Sequence, residues 1–190
     1  DSASLPDGTV LALFEDRASR IWVATYRGLS RLDPGATAFQ HFRNDPRRSH
    51  SLGNNYVYAF HEDSNADLWL GTGGGLDRLD LETGEFVHVR EADGLPNAVV
   101  GSILADGTGA LWLGTQRGLA RFEPSSGRVR SFLPSDGLQS NLFAAGAALG
   151  LRDGTLVIAW HESERRGSAE WGRSIVEPGL VVRIQQPTQL

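Results

Sequence analysis

Residues 16–33 read DRASRIWVATYRGLSRLD, and the phrase returns at 63–80 as DSNADLWLGTGGGLDRLD and at 106–123 as DGTGALWLGTQRGLARFE. The tryptophans Trp22, Trp69 and Trp112 mark the register, 47 and then 43 residues apart. Six residues before each stands Asp16, Asp63 or Asp106; six after stands Gly28, Gly75 or Gly118; nine after stands Arg31, Arg78 or Arg121. Seventeen after comes Phe39, Phe86 or Val129. Agreement at so many registered positions identifies a structural repeat. Each unit holds four short β-type runs separated by turn residues. They fall at 10–14, 21–24, 29–32 and 39–42, then 56–60, 68–71, 76–79 and 86–89, then 99–104, 111–114, 119–122 and 129–132. No window shows the 3.6-residue apolar stripe of a helix. Four strands every 43–47 residues is the length of a β-propeller blade, a four-stranded antiparallel sheet that must bury its faces on its neighbours.

The expected fold is therefore all-β, with three clear blades and a partial or degenerate fourth. The divisions are an N-terminal segment 1–6, blade 1 at 7–54, blade 2 at 55–97, blade 3 at 98–141, a partial blade 4 at 142–160 and a divergent segment 161–190. Gly71 and Gly114 are expected where a second strand approaches its neighbour closely. Gly28, Gly75 and Gly118 are expected to supply a positive φ before the third strand. The aspartates are expected to accept turn N–H groups. Ser135-Asp136-Gly137-Leu138 repeats Ala92-Asp93-Gly94-Leu95 and opens a fourth unit, with strand-like runs at 143–149 and 156–159 and Val157 in the Trp position. After Trp160 the pattern stops, and only 179–184 resembles the third strand of the other units. A long insertion between strands two and three explains this, as does an altered or truncated reading of the gene.

Composition narrows the function classes. The 190 residues carry 18 basic and 23 acidic side chains, a net charge of −5, without a long basic block, which argues against nucleic-acid binding. Mean hydropathy is −0.25 and no run reaches the length of a membrane helix. The absence of cysteine excludes disulfides, zinc-thiolate sites and thiol nucleophiles, and the absence of methionine suggests a processed chain or a fragment.

EDRASRIWVATYRGLSRLDP, EDSNADLWLGTGGGLDRLD and DGTGALWLGTQRGLARFEP resemble the two-component regulator propeller repeat, whose pattern runs roughly E-D-x-x-G-x-L-W-x-G-T-x-x-G-L-x-R-x-D-P. The resemblance covers about residues 7–135, and SDGLQSNLF is similar to the entry of a last blade. It implies the extracytoplasmic, periplasmic sensor of a bacterial histidine kinase or diguanylate cyclase receptor, reaching the membrane only through segments outside this chain. It implies ligand sensing without chemistry in the propeller.

No side-chain pattern supports catalysis. His41, His50, His61, His88 and His161 show no metal-ligand spacing, so neither metal nor cofactor is expected. His41 and His88 read as surface residues of the outermost strands. Glu15-Asp16 and Glu62-Asp63 recur with the blade and read as turn formers rather than paired catalytic carboxylates. No serine sits in a G-x-S-x-G context, and Gly71-Thr72-Gly73-Gly74-Gly75 lacks the Lys and helix of a phosphate loop.

Binding sites on propellers gather on the face that carries the loops between strands two and three and the loops joining blades. Those loops supply Tyr26, Arg27, Gln116 and Arg117 from the first set, and Asn55, Asn97 and Asn141 from the second. Their donors and flat apolar surface suit a small molecule or glycan. The leading expectation is thus a non-catalytic sensory or binding module. The alternatives are a propeller lyase acting on a polysaccharide or lactone, and an interaction scaffold. The scaffold reading expects uncovered blade flanks to drive self-association or to meet further blades. A closed four-bladed ring would need 161–190 to complete the last sheet.

Overall fold

A computed structural model describes residues 3–138, 142–152, 155–160 and 181–184. The chain lays down four antiparallel sheets in succession. Blade 1 comprises β1 (Val10–Glu15), β2 (Ile21–Thr25), β3 (Gly28–Leu32) and β4 (Gln40–Phe42). Blade 2 comprises β5 (Val57–Glu62), β6 (Leu68–Thr72), β7 (Gly75–Leu79) and β8 (Phe86–Val89). Blade 3 comprises β9 (Val100–Ala105), β10 (Leu111–Thr115), β11 (Gly118–Glu123) and β12 (Arg128–Phe132). Blade 4 pairs β13 (Phe143–Gly150) with β14 (Leu156–Trp160) and β14 with β15 (Val181–Ile184). Within the weak third-strand match, Val181–Ile184 form a strand, with Leu156 opposite Ile184 and Ala159 opposite Val181. Residues 161–180 lie outside the described residues.

The core is divided among the blade interfaces, as the repeat requires. Trp22, Ala24, Leu29 and Phe42 of blade 1 bury against Val57, Leu68, Leu70, Leu79 and Phe86 of blade 2. Trp69 and Leu76 of blade 2 meet Val100, Ile103, Leu111, Leu113 and Phe122 of blade 3. Leu119 of blade 3 meets Phe143 and Ile158 of blade 4, with Trp112 and Phe132 packed alongside. Each inter-blade connector adds a leucine to its interface: Leu52, Leu95 and Leu138. The first strands β1, β5, β9 and β13 pack on one another in sequence, which places them innermost.

The repeated residues earn their positions locally. Asp16 accepts the N–H groups of Ala18 and Arg20 through Oδ1 and the indole N–H of Trp22 through Oδ2, at 2.8 Å. Asp63 and Asp106 do the same for Trp69 and Trp112, at 2.9 and 3.2 Å. One carboxylate therefore closes the turn and orients the indole. Arg31 and Arg78 stack over Trp22 and Trp69, while Arg121 reaches Asp106 instead. Thr25, Thr72 and Thr115 donate their hydroxyls to the carbonyls of Gly28, Gly75 and Gly118 and so tie the hairpin into strand three. Gly28 has φ +114°, and a Cβ there would lie 2.5 Å from the Phe42 carbonyl. At Gly71 a Cβ would lie 2.7 Å from the Val100 carbonyl of the next blade, the close approach expected of it.

Candidate functional site

Each first strand enters from the connector with an irregularity. Val10 faces Thr25, but Ala12 already faces Ala24. The same slip leaves Tyr58 between Val57 and Ala59, and Gly101 between Val100 and Ser102. A bulge adds one residue without a ladder partner and re-aims its side chain. In blade 2 that residue is a tyrosine, at the innermost strand and beside the mouth formed by the hairpins and connectors.

Two more tyrosines join it. Tyr26, on the blade 1 hairpin, meets Tyr56 edge to face with ring centroids 5.5 Å apart. Burial pushes the Tyr58 hydroxyl above its ordinary pKa, and the phenols of Tyr56 and Tyr26 nearby push it the same way. The chain has three tyrosines, so all of them converge here. Tyr26 and Tyr56 are exposed and Tyr58 is half-buried, an arrangement that presents aromatic rings and hydroxyls together. The floor is firm: Asn54 Oδ1 accepts the Tyr56 N–H, and Gly73 N–H donates to the Tyr56 carbonyl. A Cβ on Gly73 would lie 3.1 Å from Asn54 Oδ1, so the glycine hairpin of blade 2 lets the connector lie close.

The other expected site residues divide. Arg27 sits beside this mouth, exposed, with Nε 3.7 Å from Asp7 Oδ2. Asn55 is at the connector, where Oδ1 accepts the Asn44 N–H. Asn97 accepts the Val99 N–H at the start of blade 3, the same service Asn54 gives in blade 2. Gln116 and Arg117 form the exposed tip of the blade 3 hairpin and make no side-chain hydrogen bond among the described residues. Asn141 lies outside the described residues. Of these three tyrosines, only Tyr26 is among the candidates the sequence offers; Tyr56 and Tyr58 are brought beside it by the fold. The available signal was that every tyrosine in the chain falls at the hairpin tip or within a few residues of the first connector.

The histidines of the outer strands are bound to neighbours rather than free on the surface. Ser30 Oγ lies 2.9 Å from His41 Nδ1. His88 lies between buried Asp77, 2.8 Å from Nδ1, and the Ser49 carbonyl, 2.9 Å from Nε2. Asp77 also accepts from Arg90 and from the Gly53 N–H, so this cluster straps the connector to blade 2.

A second concavity lies on the opposite face, an open cleft of about 890 Å³ between the turns of blades 2 and 3. The repeat explains it. Arg17 N–H donates to Glu62 Oε2 at 2.8 Å and its guanidinium donates to the Glu62 carbonyl, closing the gap between blades 1 and 2. The corresponding residues one blade later are Ser64 and Ala105, which are too short to meet. Charges lining the cleft are paired with each other, Arg78 with Asp67 at 3.4 Å and Arg121 with Asp106 at 3.2 Å. His61 lines it too, and burial holds its imidazole below its ordinary pKa, against the upward pull of Asp63. Among the described residues no group of His, Asp and Glu is arranged to hold a metal.

A family model described as two component regulator propeller matches residues 4–27, 51–74 and 94–117. No curated protein matches the chain. Among solved structures, the extracellular domain of a hybrid two component system of B. thetaiotaomicron is 22% identical with a TM-score of 0.67, over 82% of this chain and 21% of that one. A second such domain from the same organism is 18% identical with a TM-score of 0.54, over 78% and 26%. Virginiamycin B lyase from Staphylococcus aureus is 18% identical with a TM-score of 0.57, over 82% and 50%. At these identities the likeness establishes the propeller fold. The chain spans about a fifth to a half of the length of these proteins.

Proposed function

Because the chain is built from two component regulator propeller repeats, we propose that it is a sensor propeller segment, held on the extracytoplasmic side, that binds a ligand without transforming it. The bound species is a glycan or similar polyhydroxylated small molecule, and the site is the tyrosine mouth. The observation that carries this reading is the convergence of Tyr26, Tyr56 and Tyr58 beside the innermost strand of blade 2. Aromatic faces take the apolar face of a sugar ring, and phenol and amide groups take its hydroxyls. Arg27 and Asn55 stand at the rim with donors to spare. Support for the sensing role comes from the resemblance to extracellular domains of two component systems. The cleft of the opposite face is the weaker site, since its charged groups already answer one another.

A panel of cello-, xylo-, manno- and arabino-oligosaccharides tests this by thermal shift and calorimetry. At least one should bind the natural chain, and Tyr58→Ala or Tyr26→Ala should weaken it tenfold or more. Ser64→Arg with Ala105→Glu, which rebuilds the Arg17–Glu62 closure in the cleft, should leave binding intact. Failure of every oligosaccharide to bind, or loss of binding in the cleft variant alone, overturns the assignment. Mass spectrometry of the recovered sugar should show it unchanged, and a shortened or unsaturated product would favour a lyase.

A further inference from the structure

The repeat places Arg43, Arg90 and Leu133 at one position, just past the outer strand, where each lies against the glycine of its own hairpin. A Cβ on Gly28, Gly75 or Gly118 would lie 3.2, 2.8 or 3.1 Å from that side chain. In blade 2 the charge is neutralised, because Arg90 donates to fully buried Asp77 at 2.9 Å. Blade 1 has Ser30 at the Asp77 position, and Ser30 is engaged with His41. Arg43 is therefore left without its carboxylate. It is exposed and makes no side-chain hydrogen bond or ion pair among the described residues. Burial holds the His41 imidazole below its ordinary pKa, and the Arg43 charge pushes it the same way.

Arg43 stands between two parts of the tyrosine mouth. Its stem lies against Gly28, next to Arg27 and Tyr26 at the hairpin tip. The following residue, Asn44, donates its N–H to Asn55 Oδ1 at 2.9 Å, on the connector that carries Tyr56. Arg27 has Asp7 as its ion pair, at 3.7 Å and largely in solvent, where such a pair is weak. Arg47 and Arg48 are exposed farther along the same connector, before it crosses β8, where the His50 carbonyl accepts the Phe86 N–H. Four guanidinium groups thus meet two carboxylates, Asp7 and Asp45, in a chain whose net charge is −5. The other connectors differ. Residues 90–99 add exposed Glu91 and Asp93 to the neutralised Arg90, and 133–142 hold Asp136 and no basic residue.

We propose that the species taken at the tyrosine mouth is an acidic glycan, with its sugar ring on the tyrosines and its anionic group held by Arg27 and Arg43. The inference rests on the mouth being the ligand site. The anion is a uronate carboxylate or a sulfate ester, since the forked N–H groups of a guanidinium match the paired oxygens of either. Arg47 and Arg48 extend the positive track outward for a longer polymer.

Calorimetry with the full chain at low salt tests this on matched sugars: α-1,4-galactotriose, trigalacturonate and sulfated galactotriose, and xylotetraose with and without a glucuronate branch. At least one acidic form should bind about tenfold more tightly than its neutral partner, each exposed charge pair supplying about threefold. The margin should shrink as salt rises. Arg27→Gln and Arg43→Gln should each cut it about threefold, while Arg128→Gln, on the exposed outer strand of blade 3, should leave it unchanged. Tyr58→Ala should weaken acidic and neutral forms together. Preference for the uronates identifies a carboxylate, and preference for the sulfated sugar a sulfate ester. Absence of binding by every acidic form, equal affinity for acidic and neutral partners, or a margin that neither arginine substitution reduces would overturn the proposal. Acid binding that Tyr58→Ala leaves untouched would overturn the mouth itself.

Discussion

Replacing Asp16 by alanine tests the central claim that one carboxylate per blade both closes a turn and seats a tryptophan. Asp16 accepts the backbone N–H groups of Ala18 and Arg20 at 3.0 Å, the Arg20 guanidinium at 2.6 Å and the Trp22 indole at 2.8 Å. The indole is fully buried, so its N–H cannot turn to water, and a stranded buried donor costs about 1–3 kcal/mol. The turn N–H groups lie closer to solvent, and their loss adds on the order of 1 kcal/mol. The sum is about 3 kcal/mol, or a fall of roughly 6–12 °C in melting temperature for a chain of this size. The assay is thermal unfolding by near-ultraviolet circular dichroism, run as a double-mutant cycle with Trp22→Phe. In the phenylalanine background no donor is stranded, so Asp16→Ala should cost only the turn component. A change within about 0.5 kcal/mol for Asp16→Ala alone, or equal costs in both backgrounds, would refute the latch.

Other expectations follow from the same details. Hydrogen bonds outweigh burial at Asp16 and Asp106 and hold both carboxyls below their ordinary range, so their contribution is full above the unfolded value near ~4 and is lost as pH falls through the folded values. Urea midpoints should drop steeply on that acid limb, and Asp16→Asn should flatten it. His61 also has a lowered pKa, so its contribution is complete above about pH 6.5 and wanes as pH falls below that; His61→Phe, the residue blade 1 has at this position, should remove this dependence from the melting curve. Ala66 has φ +64° at a position where blade 3 has Gly109 at +83°, and Ala66→Gly should raise stability by about 0.5–1 kcal/mol in urea titration. Gly71→Ala should cost about 2 kcal/mol or more, because its Cβ meets the Val100 backbone rather than a yielding side chain.

The strands were legible because the Trp-centred run alternates with turn residues at fixed intervals, and the observed bounds differ from expectation by a residue or two at each end. The close approach at Gly71 and the turn at Gly28 were legible for the same reason, since glycine recurred where its neighbours did not change type. Less could be read where the physics is not local. The Asp–Trp bond spans six residues and becomes visible only when the hairpin brings both side chains to one edge. The third strand of blade 4 was legible only weakly, because 161–178 is polar and aperiodic, and the cost of pairing strands across intervening residues grows only slowly with their number. Tyr58 was read as an ordinary strand residue, since a bulge leaves no mark in a run of apolar and aromatic side chains. Ser19 and Ala66, at φ +59° and +64°, stand where the family pattern has glycine, a departure visible in sequence but not its backbone consequence.

The features that distinguish this propeller segment sit where the repeat breaks rather than where it holds. Asp, Trp, Thr and Gly recur because each blade needs the same turn, the same wedge and the same hairpin tie, and residues so engaged have no spare bonds for a ligand. Tyr26 and Tyr58 have no aromatic counterpart in blade 3, where the same positions hold Gln116 and Gly101. Arg17 and Glu62 close one inter-blade gap, and their replacement by Ser64 and Ala105 opens the next. A mouth on one face and a cleft on the other thus arise from single-residue departures on an unchanged frame. This has a mechanical consequence: side chains at these places can change without loosening the sheets, because the burial that holds the blades together lies in the Trp, Leu and Phe layers between them. The loops of such a chain can accordingly vary while its stability stays with the repeat.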